Sequence, residues 1–271
     1  MSVPPAQTPH APGKGLTRNF QMARVVSALI LREMSTRYGR SPGGYLWAVL
    51  EPLGMIALMT LGFSLLIRTP PLGNNFLLFF ATGYIPFSFY QTMSVMISRA
   101  LIFSKALLAY PVVTWVDALI ARLLLNGLTG ILVSYIIMGI VLLLQTDPVS
   151  IRMGPVIESM LMMLLIGVAV GTVNCVLNGM ISVWPTIWSI VTRPLFIASG
   201  VLFLYESMPP LAQSILWYNP LLHAVGLMRT AFYPSYTASY VSVPYVMGSS
   251  LAVLFIGVVL LSRYHRDILN R

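Results

Sequence analysis

Six stretches of this chain, near 46–67, 76–97, 117–144, 156–180, 186–205 and 243–262, are apolar over most of their length. Each approaches the roughly 20 residues a helix needs to cross a bilayer. Backbone inside hydrocarbon must satisfy its own N–H and C=O groups, and a helix does so within one segment. The expected fold is therefore an all-α membrane protein with six transmembrane helices. Charge agrees: only 8% of residues are charged, against about 25% in soluble domains. Nineteen prolines and twenty glycines spread through the runs suit kinked or broken membrane helices better than a soluble core.

The cations set the orientation. Lys14, Arg18, Arg24, Arg32, Arg37 and Arg40 precede the first run, Arg99 and Lys105 follow the second, and Arg263, Arg266 and Arg271 close the chain. Only Arg68, Arg152 and Arg229 fall on the other side. The positive-inside rule then puts both termini in the cytoplasm. It also accounts for the net charge of +9 without a nucleic-acid partner.

Residues 1–16, rich in Pro and Gly, are expected to be a disordered tail. Over 17–40, Phe20, Met22, Val25, Val26, Leu29, Ile30 and Met34 approximate helical spacing, with Arg24, Arg32 and Glu33 between them. These charges argue against spanning and predict an amphipathic interface helix on the inner leaflet. Residues 41–271 form the six-span domain. Between the fifth and sixth runs, the apolar stretch 211–228 is interrupted by Pro220. Short re-entrant or interfacial helices fit there. The aromatic run Phe232, Tyr233, Tyr236, Tyr240 and Tyr245 reads as a head-group anchor.

Enzymatic motifs are absent. The chain has no phosphate-cradling G-x-x-x-x-G-K-[ST], no G-x-S-x-G and no H-E-x-x-H. His10, His223 and His265 lie far apart, Cys175 stands alone, and the seven acids make no evident acid–base pair. No metal site and no catalytic residue are expected. Energy for uphill transport would come from another subunit.

Several residues carry more specific readings. Arg193, inside the fifth run, either lines a polar path or snorkels to the inner surface. Glu51 is read as pairing with Arg37 or Arg40 or as favouring a helix N-terminus, and Asp117 and Arg122 as neutralising each other. Gly167, Gly171, Cys175 and Gly179 recur every four residues and predict a helix-packing face, within one subunit or between two. Leu101, Ser104, Lys105, Leu107, Leu108 and Tyr110 belong to a short amphipathic helix that ends before Pro111. It either docks in a partner's groove or rests at the interface.

Three segments resemble one family. Arg37-Tyr38-Gly39-Arg40-Ser41-Pro42-Gly43-Gly44-Tyr45-Leu46-Trp47, followed by Glu51-Pro52-Leu53, resembles the R-Y-x-x-S-x-x-G-x-x-W-x-x-x-x-P-L pattern of type-2 ABC exporter permeases. Lys105-Ala106-Leu107-Leu108-Ala109-Tyr110-Pro111 is similar to their coupling-helix region. Tyr218-Asn219-Pro220-Leu221-Leu222-His223, with Arg229 downstream, resembles their C-terminal signature. The likeness is nearest to the transmembrane subunits of capsular-polysaccharide export (the KpsM type).

That resemblance implies a half-transporter in the bacterial inner membrane. Two copies would form the path, and two copies of a separate ABC ATPase, holding ATP and Mg, would dock under the loop around residues 98–111. This chain itself would bind no cofactor. The cargo would be a lipid-linked capsular polysaccharide, carried onward by a periplasmic adaptor and an outer-membrane channel. O-antigen, teichoic acid or another glycolipid are the rival cargoes, and a membrane-embedded polysaccharide-synthesis enzyme is a more distant alternative. Because sugars stack on aromatic faces, Tyr84, Phe87, Phe89 and Tyr90 of the second run are expected to line the path. Trp184, Trp188, Phe196 and Phe203 on or near the fifth are expected beside them, with Arg37, Arg40 and Arg193 attracting anionic groups.

Overall fold

Helix α6 (Met153–Met180) packs along two other long helices and a shorter one near the end of the chain. Its small residues let two neighbours approach closely. A Cβ on Gly167 would lie 2.8 Å from Met93 Cβ, and one on Gly171 2.8 Å from Ile97 Cβ. Both neighbours belong to α3 (Phe76–Ser98). Gly179 instead faces Ile268 of α10 (Val243–Asn270), and α10 answers with Gly257, whose Cβ would lie 3.1 Å from Thr172 and Val173 of α6. Backbones this close gain dispersion contacts that larger side chains would prevent.

This computed structural model describes residues 18–38, 43–110, 112–145 and 148–270, without the side chains of residues 18–21, 37, 38 and 45. The expected tail at 1–16, Arg40 and the Arg37 side chain lie outside the described residues. The described residues are helical, joined by turns and short irregular segments, with no strand among them.

Among the described residues, four helices are long and apolar enough to cross a membrane: 46–66 within α2 (Gly44–Leu66), α5 (Trp115–Leu143), α6 and α10. The second predicted run forms α3, which is long but carries Thr82, Pro86, Ser88, Gln91 and Ser94 and is buried along most of its length. The fifth run departs most from expectation. It is helical only over α7 (Trp184–Ala198), 15 residues or about 22 Å. The chain then turns at Gly200, whose φ of +76° suits glycine, and reaches a 3₁₀ turn at Tyr205–Ser207. In contrast, α10 outruns its predicted end at 262, because Leu261 and Ile268 continue a buried stripe against Leu101 and Cys175.

The N-terminal helix α1 (Arg18–Tyr38) buries Val26, Leu29 and Glu33, and its apolar residues meet Ala121 of α5. Two further short helices, α8 (Pro210–Leu216) and α9 (Pro220–Phe232), follow the 3₁₀ turn. Asn219 caps the second, accepting from the Leu221 N–H at 3.1 Å. α9 is packed against α6 and α3, and Ser159 of α6 donates to the Ala224 carbonyl at 2.7 Å. Tyr233 and Tyr236 are buried in the main core. These two are internal packing residues, whereas a head-group anchor would have been exposed.

Candidate functional site

A cavity of about 1170 Å³ opens between α1, α2, α3 and α7, above the short helix α4 (Ala100–Leu108). Six of the path residues expected from the sequence line it: Tyr84, Phe87 and Tyr90 from α3, and Trp188, Arg193 and Phe196 from α7. The rings of Tyr84, Phe87, Tyr90 and Phe196 form a continuous aromatic seam. Phe196 packs edge-on to Phe87 at 5.1 Å and to Tyr84 at 6.2 Å between centroids, and Phe87 lies 5.9 Å from Tyr90. Phe87 and Tyr90 are buried, and Tyr84 and Phe196 are the partly exposed rings of the seam.

The remaining expected residues sit elsewhere. Phe89 rests against Gly130 of α5 and lines a smaller groove. Trp184 stacks beside Trp188 at 6.3 Å and donates its Nε1–H to Asn174 Oδ1 at 2.9 Å. Phe203 lies beyond the α7 break, where its carbonyl accepts from Arg229. Of the residues expected to dock a partner, Leu101 and Ser104 are buried, Leu107 and Leu108 are half-buried, and Lys105 and Tyr110 are exposed.

The charged residues are sorted by partner. Arg122 of α5 meets Glu33 of α1, Nε to Oε2 at 3.3 Å, with both side chains buried. Its guanidinium also lies 4.5 Å from the centre of the Phe103 ring. Asp117 does not neutralise Arg122. It completes a capping box with Thr114, whose Oγ1–H donates to Asp117 Oδ2 at 2.7 Å, the local geometry that starts α5. Arg193 is exposed at the cavity wall, and Glu51 and Arg99 line the same space. A carboxylate within a predicted span was the signal that could have assigned Glu51 to the site. Arg99 had been read only as a topological charge.

The break after α7 is held from α9. Arg229 Nη1 donates to the Phe203 carbonyl and Nη2 to the Val201 carbonyl, each at 2.9 Å, and the guanidinium lies 4.2 Å from the centre of the Phe79 ring. Asn219 Nδ2 donates to the Ala198 carbonyl at 2.9 Å. Gly83 makes room for this arrangement, since a Cβ there would come within 3.1 Å of Val201 and 3.2 Å of Arg229 Nη2. Nearby, the Tyr236 hydroxyl donates to Glu206 at 3.1 Å, and burial pushes Tyr240 up to about 12. His223 accepts from the Ser242 N–H on Nδ1 at 3.2 Å and donates from Nε2 to the Trp217 carbonyl at 2.7 Å. Burial lowers its pKa below the ordinary histidine value, in keeping with that neutral arrangement.

An aromatic cavity with scattered charges, in a chain of long apolar helices, fits the membrane subunit of a transporter. Residues 24–233 match the ABC-2 type transporter model, and the chain belongs to that family. It is 32% identical to the polysialic acid transport protein KpsM of Escherichia coli over 244 residues, covering 89% of this chain and 94% of that protein. The capsule polysaccharide export inner-membrane proteins BexB of Haemophilus influenzae and CtrC of Neisseria meningitidis are 25% and 24% identical over 245 residues. Each of those matches covers 90% of this chain and 92% of the relative.

Proposed function

We propose that this chain is the transmembrane half of an ATP-driven exporter that moves lipid-linked capsular polysaccharide across the bacterial inner membrane. The observation that carries this reading is the aromatic lining of a cavity of about 1170 Å³, where Tyr84, Phe87 and Phe196 pack ring against ring and Trp188 adds a further aromatic wall. Stacking surfaces without a closed, deep pocket suit a polymer that must slide, and Arg193 and Arg99 supply cations for acidic sugars or an anionic lipid terminus. The similarity to KpsM, BexB and CtrC supports a capsular cargo.

In this reading α2, α3, α5, α6, α7 and α10 are the six spans, both termini are cytoplasmic, and α8 and α9 re-enter from the outer face. Helix α7 buries none of its side chains, which supports a second copy of the chain covering its outer side. Two copies of an ABC ATPase, binding ATP and Mg, dock on α4 and the turn after it, where Lys105 and Tyr110 are exposed. A periplasmic adaptor and an outer-membrane channel continue the route. α1 rests at the cytoplasmic interface among membrane lipids.

Deleting the gene and assaying surface and cytoplasmic polysaccharide separately tests the proposal. The expected outcome is polymer trapped inside with its lipid still attached. A trapped O-antigen or teichoic acid in place of capsule would reassign the cargo. Absence of polymer from both compartments would place the protein in synthesis, and normal surface polymer would overturn the reading. Lys105→Glu combined with Tyr110→Ala should release the ATPase in co-purification while the permease remains in the membrane.

A further inference from the structure

Beside the main cavity, a groove of about 310 Å³ runs between α2, α3 and α5. The helices that frame it turn Leu50, Leu128 and Leu132 outward, as a lipid-facing surface requires. Its lining is of a different chemistry: Glu51, Gln91, Thr92, Thr129 and Ser134 contribute a carboxylate, an amide and three hydroxyls. None of these five side chains makes a hydrogen bond or ion pair among the described residues. Uncompensated polar groups in an apolar environment cost several kcal/mol each, so water or a ligand's hydroxyls must meet them. Phe89 and Tyr84 add aromatic surface, and Gly130 lets α5 close onto the Phe89 ring.

Phosphate is a poor match, because the lining includes a carboxylate and no lysine or arginine. Hydroxyl-rich sugar is a good one. Carboxylate, amide and hydroxyl groups can exchange hydrogen bonds with sugar hydroxyls, and an aromatic face can stack on a sugar ring. Glu51 of α2 and Tyr84, Gln91, Val95 and Met96 of α3 line both the groove and the main cavity, so the two compartments adjoin along α3. We propose that the groove is a second saccharide site, distinct from the main cavity, that holds the sugars nearest the lipid of a lipid-linked glycan. The apolar rim leaves the acyl chains in the bilayer while the polar lining takes the sugars. The inference rests on the export reading above.

The test uses the complete transporter in cells making the polymer, with a photoreactive benzophenone amino acid placed at one position at a time. Ser134 reports on the groove, Trp188 on the main cavity, and Leu143, which is exposed, on the lipid surface. Expected are glycan adducts, resolved as a mass ladder spaced by sugar units, at Ser134 and Trp188 but not at Leu143. Combining Thr92→Val with Thr129→Val should lower the Ser134 yield about fivefold or more at equal protein level, the effect of losing a hydrogen bond. A ladder at Trp188 with only phospholipid adducts, or none, at Ser134 would overturn the groove site and leave export intact. An unchanged Ser134 yield in the double variant would likewise overturn it. A ladder at neither position would overturn the export reading itself.

Discussion

Two arginines are buried among the described residues, and they are used differently. Arg122 on α5 and Arg229 on α9 each lie over a phenylalanine ring, 4.5 Å from the centre of Phe103 and 4.2 Å from that of Phe79. Arg122 faces a carboxylate, Glu33, which arrives on α1, a whole helix that packs on α5. Arg229 instead donates to the carbonyls of Val201 and Phe203. Those carbonyls lie beyond the last helical turn of α7, where the backbone needs donors from outside its own segment. Arg122 thus fastens an accessory helix through charge, whereas Arg229 substitutes for missing helical hydrogen bonds. A buried cation can therefore either join two elements or permit a helix to stop inside the fold.

If that contrast is right, Arg229→Ala has the largest effect on stability. It leaves two buried carbonyls without their donors, at a cost of about 3 kcal/mol or more, read as a fall in Tm of the detergent-extracted protein. Arg229→Lys should recover only part of this loss, because one ammonium lacks the planar fork that reaches both carbonyls. Full recovery would show that charge alone matters at this site. Glu33→Ala comes next, at about 2 kcal/mol. Removing one partner of a buried pair is costly, but Arg122 keeps its donation to the Met96 carbonyl and its contact with Phe103. The specific sign is faster tryptic cleavage of α1 at Arg24 or Arg32. A larger loss in Glu33→Ala than in Arg229→Ala would reverse the comparison.

The packing around α9 should also weaken in acid. Burial lowers the pKa of His223 in the folded protein, so the unfolded chain binds a proton more readily. Stability is then fully present above the unfolded histidine value, near 6.5, and is lost as pH falls through the folded value. Tm should decrease from pH 7.5 to pH 5, with a smaller decrease in His223→Gln. Equal decreases would assign the acid sensitivity to other groups. The smallest stability effect belongs to the exposed Arg193. Arg193→Ala should leave Tm within the range of about 0.5 kcal/mol usual for surface positions. It should nonetheless reduce surface polysaccharide while ATPase co-purification is unchanged. Loss of assembly would make Arg193 structural.

Much of the fold was legible because its signals are local. Long apolar runs marked α2, α5, α6 and α10, helical spacing marked α1, and Pro220 marked the start of α9. The cavity was legible in part. The aromatic residues of α3 and α7 could be named, but each helix presents aromatic side chains in several directions. Only packing directed Phe87 and Phe196 towards the cavity and Phe89 towards α5. Arg122 illustrates the limit. Asp117 is five residues away in sequence, yet it was required by the Thr114 cap, and the partner came from α1.

By itself, the sequence determined an all-helical membrane protein, the approximate positions of most of its long helices and the family to which it belongs. These follow from hydrophobic length, helical period and short motifs, all of which act over neighbouring residues. The end of α7 at Gly200, the two settings of Arg122 and Arg229, and the separation of cavity from groove were decided by tertiary structure. Each depends on which distant backbone groups need hydrogen-bond donors and on where glycines let helices touch. Such requirements arise only when segments far apart in the chain are brought into contact.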